Sequence, residues 1–222
     1  GDWSSDVCSS DLSQKKYTYV NTRSIYSSEE RLQQTLNTIN SIKQYIPNPY
    51  IILFDNSVIN ETNYKLLNEN VDKFVNITND ENINFYTDEC IYKGYGELSQ
   101  LNVLVNELNN LNFEINNIFK ISGRYTINNT FKYSIYNNNK NVFRQNNDVK
   151  DRKYYYTSFF KIKKRQEFKD VIEKLFNIIQ NSSTYNNIDF EVYVPPEFSN
   201  KYLINNLGIT ENISVWKQIK NI

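Results

Sequence analysis

The residues best suited to chemistry lie in one short run, Lys120-Ile121-Ser122-Gly123-Arg124-Tyr125, where an apolar strand pattern stops at a glycine and presents cations on both sides of it. Alternating strand and helix patterns precede this run, and open α/β sheets bind ligands just beyond the carboxyl ends of their strands. Ser122 to Tyr125 is therefore the first place to look for a site that meets an anion. A buried strand ending in a Gly turn with a surface Arg explains the same residues without function. A second run, Lys93-Gly94-Tyr95-Gly96-Glu97, opens a helix, and its two glycines permit close backbone approach beside free helix N–H groups, a setting suited to anions. Its spacing matches neither the Gly-rich nucleotide fingerprint nor the Walker pattern, and a plain loop-to-helix junction accounts for it equally. A third candidate is the acid pair Asp189 and Glu191, which would share one face of a strand. The chain has no His, which excludes Ser-His-Asp and Cys-His catalysis, His-ligated zinc and a histidine base. Acid–base work falls to Asp, Glu, Lys or Tyr.

The elements that must position these groups belong to a chain of 222 residues, enough for one α/β domain. No apolar run reaches the ~20 residues of a membrane span and no secretory pattern is present, so the expectation is a soluble, cytoplasmic protein. Residues 1–12 resemble the conceptual translation of a sequencing adapter, and the chain has no Met. They are expected to be an artefactual, disordered tail on a fragment of a longer reading frame, leaving a domain over residues 13–222. Removing them takes away three Asp, so the net charge moves from 25 − 25 = 0 to 25 − 22 = +3. That charge, with dispersed cations, argues against nucleic acid as a partner. One cysteine, Cys90, then remains, in keeping with a reducing compartment. The wealth of Asn, Ile, Lys, Tyr and Phe reads as the codon bias of an AT-rich genome, viral or microbial, such as metagenomic sequence contains.

In chain order, residues 16–21 alternate as a first strand, with Thr22-Arg23-Ser24 as its polar exit. Ser27 and Glu30 have capping-box spacing before a five-turn helix that ends at Pro47. Residues 50–54 form an apolar strand ending in Asp55-Asn56-Ser57, and a crossover of this length makes the two strands parallel. A shorter helix over 62–70, a strand over 73–77 and a possible short strand at 83–86 lead to the helix opened by Lys93. After the central strand over 118–121 come a brief strand at 142–144, a longer one over 154–162, antiparallel or at an edge, and a helix from Lys164. Residues 188–193 read as a strand broken at Pro195-Pro196, and a final short strand or docked tail is expected near residues 207–216.

Taken together, Thr22-Arg23-Ser24, Gln34-Thr35-Leu36, Ile51-Ile52-Leu53-Phe54-Asp55-Asn56-Ser57, Lys93-Gly94-Tyr95-Gly96-Glu97 and Phe119-Lys120-Ile121-Ser122-Gly123-Arg124-Tyr125 resemble, in their order and spacing, a group of GT-A-like glycosyltransferases from bacteria and large viruses. The resemblance spans residues 16–222. It implies an α/β fold with a Rossmann-like, mixed, mostly parallel sheet flanked by helices, and transfer of a sugar from a nucleotide-sugar donor to a glycan or lipid-linked acceptor, as in polysaccharide biosynthesis. It places Thr22, Arg23, Asp55, Asn56, Lys93, Gly94, Glu97, Ser122 and Gly123 around the donor, Lys120 and Arg124 on its diphosphate, and Glu191 or Asp189 as a general base. Such enzymes carry an Asp-x-Asp pair that holds Mn²⁺ or Mg²⁺, but here the slot is Ser122-Gly123-Arg124, so no metal ligand is assigned. A catalytically inactive GT-A-like domain that binds a glycan or a protein is the alternative.

Overall fold

A computed structural model describes residues 4–10, 26–89, 93–146, 153–181, 190–213 and 218–221. In chain order the elements are β1 (Ser4–Ser10), α1 (Ser28–Tyr45), β2 (Pro49–Asp55), α2 (Glu61–Asn70), β3 (Lys73–Asn76), α3 (Glu81–Asn84) running into a π-helical turn at Phe85–Glu89, α4 (Lys93–Asn109), β4 (Asn117–Ser122), β5 (Tyr125–Ile127), α5 (Tyr133–Tyr136), β6 (Asn141–Asn146), β7 (Tyr154–Ile162), α6 (Arg165–Asn181), α7 (Phe190–Glu197), β8 (Lys201–Leu203), β9 (Ile209–Ile213) and β10 (Gln218–Asn221). Local sequence explains the main helices. Ser27 caps α1 through its hydroxyl while Glu30 returns a bond to the Ser27 N–H, so the capping box is present as expected. In α6 the residues Phe168, Val171, Ile172, Leu175 and Ile179 recur at helical spacing and are all buried.

The main sheet has seven strands in the order β3-β2-β1-β4-β7-β6-β8. Its pairs are parallel except for β4 with β7 and β7 with β6, so the sheet is mixed and mostly parallel. A second sheet of three strands, β10-β9-β5, joins the last two of the described strands to β5. Strand alternation divides the core between the two faces of the main sheet. Ile52 and Phe54 join one hydrophobic cluster with α4 and α6, whereas Ile51 and Leu53 join another with α1 and α2. Both faces are covered, which is why β2 reads as an unbroken apolar run.

Three expectations need correction. Ser4–Ser10 is no disordered tail: it forms β1, paired to β2 on one side and β4 on the other. Ladder bonds involve only backbone N–H and C=O groups, so a polar run can fill a central position when both neighbours offer free edges. The strand expected over 16–21 lies outside the described residues. Residues 81–89 are helical instead of a strand, because the Asp80 carboxylate accepts from the Asn82 and Ile83 N–H groups and starts a helix there. Residues 190–197 also form a helix, α7, with Pro195 and Pro196 inside it. At its carboxyl end, where any helix leaves carbonyls open, the Lys201 Nζ donates to the Pro196 oxygen and to that of Phe198 just beyond. Of the two alternatives for residues 154–162 the antiparallel one holds: β7 lies between β4 and β6 and runs antiparallel to both.

Two measurements test this architecture. Gly208 has φ +71°, and an added Cβ would stand 2.4 Å from the Phe131 Cα. Gly208→Ala is expected to cost at least about 1–2 kcal/mol, read as a fall of several degrees in thermal unfolding. Deleting residues 1–12 is expected to leave a cooperatively folding chain, because the Tyr-Thr-Tyr-Val run at 17–20 carries the stronger strand pattern for the same slot. Loss of the cooperative transition in that deletion makes Ser4–Ser10 an obligatory strand.

Candidate active site

The carboxyl ends of β2, β3 and β4 bring Asp55, Asn76 and Ser122 to one edge of the sheet, which β7 enters at Tyr154 and β6 leaves at Asn146. The best-defined constellation on this edge surrounds Lys120. Its side chain shares a face of β4 with Ile118, toward α4, and the residue is 1% exposed. The ammonium donates to Glu97 Oε1, to the Thr157 carbonyl at 2.6 Å and to Ser122 Oγ at 3.1 Å. All three N–H groups are thus satisfied inside the protein. Lys120 holds Glu97 in place, and the Glu97 side chain keeps 29% of its surface in solvent. The carboxylate, and not the lysine, is the member of this pair that can meet a ligand.

Irregular backbone makes the arrangement possible. Val142 pairs with Lys161 but Arg144 pairs with Tyr156, a register shift that leaves Thr157 in an excursion of β7 with its carbonyl available to Lys120. Glu97 is set by the start of α4, which begins at Lys93 as the sequence indicated. Gly96 lies against the π-helical turn: a Cβ there would be 3.1 Å from the Thr87 Cα and 3.2 Å from the Tyr86 oxygen. The glycine serves this close helix-to-turn contact. Thr87 in turn accepts from Asn56 Nδ2 at 3.0 Å and donates to the Ile83 carbonyl at 2.9 Å. One chain of contacts therefore links the end of β2 to the first turn of α4.

At the end of β2, Asp55 is fully buried and its Oδ1 accepts the Ser57 N–H at 2.6 Å, closing a tight turn. Asn56 is 1% exposed, and its Oδ1 is buried with no hydrogen-bond partner. Beyond this turn lies a groove of about 550 Å³ whose walls include Val58, Ile59, Tyr64, Phe74, Asn76 and Thr78. It is of the size of small-molecule pockets. After Ser122, the Arg124 N–H donates to the Ser122 carbonyl at 2.8 Å, and buried Gly123 accepts from Thr35 of α1 at 3.4 Å. Arg124 is half-buried.

The structure thus unites Glu97, Lys120 and Ser122, with Gly123 and Arg124 directly following. Asp55 and Asn56 stand two strands away, about 10 Å at the usual strand spacing. Lys93 and Gly94 lie in the first turn of α4, and Glu191 is the second residue of α7. Thr22, Arg23 and Asp189 lie outside the described residues. Thr157, Thr87 and Arg144 were missed by the sequence reading. The first contributes through its backbone, which leaves no mark on residue type, while Arg144 was visible only as a cation in a brief strand.

Other ionised groups serve the scaffold. Lys161 is fully buried and donates to the Asn138 and Lys140 carbonyls, both at 2.7 Å; burial, with Lys163 nearby, lowers its pKa to about 8. Glu167 joins α6 to Asn141 and Ser199, and although burial raises its pKa, these hydrogen bonds bring it below the usual carboxylate value. Among the described residues no group of three or more His, Cys, Asp or Glu could hold a metal ion, and no helix is long and apolar enough to cross a membrane.

No protein-family profile and no curated protein matches the chain in sequence. Solved structures do match in fold. The galactosyltransferase LgtC, solved with donor and acceptor sugar analogues, covers 90% of this chain and 73% of its own, with a TM-score of 0.56 at 9% identity. An active-site mutant of LgtC gives 0.53 at 8% identity, over 90% of this chain and 72% of its own. The glycosyltransferase GlyE of Streptococcus pneumoniae gives 0.52 at 7% identity, over 92% of this chain and 45% of its own.

The Lys120 cluster is testable by denaturation. Glu97→Ala leaves a buried ammonium short of its counter-ion and is expected to cost about 2–3 kcal/mol, below the range for fully buried pairs because Glu97 is partly exposed. Lys120→Met combined with Glu97→Ala is expected to cost less than the sum of the two, by about 1 kcal/mol or more in urea titrations. With these contacts in place, the chain is similar in fold to glycosyltransferases of the GT-A type.

Proposed function

We propose that the protein is a glycosyltransferase, moving a sugar from a nucleotide-sugar donor to a glycan or other acceptor. The observation that carries this reading is Glu97, a carboxylate fixed by a buried lysine at the carboxyl end of β4, in a fold similar to that of LgtC and GlyE. In such a transfer the bond from the sugar C1 to the diphosphate oxygen breaks and a bond from C1 to an acceptor oxygen forms. The acceptor proton goes to a base, and negative charge grows on the diphosphate.

This chemistry divides among the residues as follows. Glu97 accepts hydrogen bonds from the donor sugar hydroxyls, in the orientation that Lys120 imposes. Lys120 is a positioning residue, because its three donors are already bound. Neutralising the leaving group falls to Arg124, with Lys93 and Arg23 as further cations, and fixed charge of this kind often supplies the largest catalytic term. The Asp55–Ser57 turn, with the groove beyond it, forms the nucleotide end. Asp189 or Glu191 is the candidate base. Ser122-Gly123-Arg124 offers a divalent metal a hydroxyl and a cation in place of carboxylates. This donor set does not fit Mn²⁺ or Mg²⁺, and no step is assigned to a metal.

The satisfied state of Lys120 also suits a second reading, in which the cluster is scaffold and the domain binds a glycan or a protein without turnover. A panel of nucleotide sugars separates the two. Donor hydrolysis or transfer is expected, reduced roughly 10²–10³-fold by Arg124→Ala with unfolding unchanged, and persisting in a chelator. No turnover with any donor, together with retained glycan binding, establishes the binding module.

A further inference from the structure

Arg144 is a cation on the ligand edge whose charge meets no counter-ion among the described residues. It lies two residues from the end of β6, paired with Tyr156 of β7. Its guanidinium carbon stands 4.5 Å from the centroid of the Tyr156 ring, a cation–π contact. Yet Nη1 is buried without a hydrogen-bond partner, and no ion pair among the described residues includes Arg144. The neighbouring ionisable group is the Tyr136 hydroxyl, which burial keeps protonated and which donates to the Leu207 carbonyl at 2.7 Å. It supplies no negative charge.

A guanidinium cannot discard its proton to escape this position, as a buried lysine can. A buried N–H left unbonded loses its hydration and gains nothing in return, and stacking on one ring face does not offset that loss. Arg144 as a whole is only half-buried, so the rest of its guanidinium reaches solvent, where the planar fork of Arg binds an oxyanion through two parallel hydrogen bonds. The place matters as much as the charge. In the strand order β3-β2-β1-β4-β7-β6, the groove lies at the β3 end, Glu97 is held at β4, and Arg144 lies two strands farther on, about 10 Å at the usual spacing. If the nucleotide takes the β2–β3 side and the donor sugar lies near β4, Arg144 faces the side from which the acceptor comes.

We propose that Arg144, stacked on Tyr156, binds an oxyanion, a phosphate or carboxylate, carried by the acceptor, so that the acceptor is an anionic glycan or a sugar phosphate. The assignment of the anion to an acceptor rests on the transferase reading; the anion site itself does not.

Thermal unfolding in a buffer free of phosphate and carboxylate, with inorganic phosphate and acetate as separate probes at matched ionic strength, tests the site without requiring turnover. Wild type is expected to gain several degrees with at least one probe, and the probe that acts identifies the anion as phosphate or carboxylate. Arg144→Met is expected to weaken that anion at least roughly tenfold, with Arg144→Lys in between. Without anion, Arg144→Met should melt at or above the wild-type temperature, since it removes a buried N–H that has no hydrogen-bond partner. Three results overturn the proposal: no shift of wild type with either probe, an equal shift in Arg144→Met, or a lower melting point or failure to fold of Arg144→Met without anion, which makes the guanidinium part of the scaffold. An anion response with an inactive donor panel keeps the site and removes the transferase reading.

Discussion

An ammonium ion inside a β-sheet must exchange its lost hydration for acceptors from the protein, and much of the candidate site follows from how Lys120 meets that requirement. One acceptor is a carboxylate on α4, one is a hydroxyl two residues along the same strand, and one is a backbone carbonyl of the neighbouring antiparallel strand. Together they tie α4, β4 and β7 at a single point. A helix that merely packed on the sheet through Leu98 and Leu101 could slide along its apolar stripe. The ion pair removes that freedom and fixes the side chain that faces solvent at the strand ends.

The sheet's mixed topology makes the third acceptor available. Were β7 parallel and in regular register, its carbonyls would be engaged in the evenly spaced ladder of a parallel pair. Because it runs antiparallel and changes register beside β6, the stretch around Thr157 is released to serve a side chain. The far side of α4 is fixed by a different device. There Gly96 allows the helix to lie against Thr87, which is itself bonded to Asn56 at the end of β2. Polar contact on one side and steric closeness on the other locate Glu97 between β2 and β4.

The sequence shows clearly whatever depends on local pattern. The capping box at Ser27 and Glu30, the apolar run of β2, the entry of α4 at Lys93 and the stripe of α6 all follow from spacing, and all are present. Strand alternation also put Lys120 and Phe119 on opposite faces. What spacing cannot convey is which buried side chain meets which distant backbone atom, and the fate of Lys120 was decided by Thr157, 37 residues away. The helix at residues 190–197 runs against its local pattern: two prolines near its end argue against a helix, yet they lie inside it, and Lys201 donates to the Pro196 carbonyl at that end from outside the helix. Arg144 looked like an ordinary strand cation because the unbonded state of its Nη1 among the described residues is a property of the packed sheet, not of the residue.

The mixture of partners around Lys120 bears on how this sequence can drift. Glu97 and Ser122 are subject to substitution, whereas the Thr157 carbonyl persists whatever residue occupies that position. Single replacement of Glu97 strands a cation, and single replacement of Lys120 releases a carboxylate, so each first step is penalised even if the final pair is tolerable. Conversion of the cluster to an apolar core requires near-simultaneous change at two positions 23 residues apart. The carbonyl cushions the intermediate, because a lysine that has lost its acid retains one acceptor that cannot mutate away. Such a site is free to vary around its rim while its centre changes rarely and in pairs.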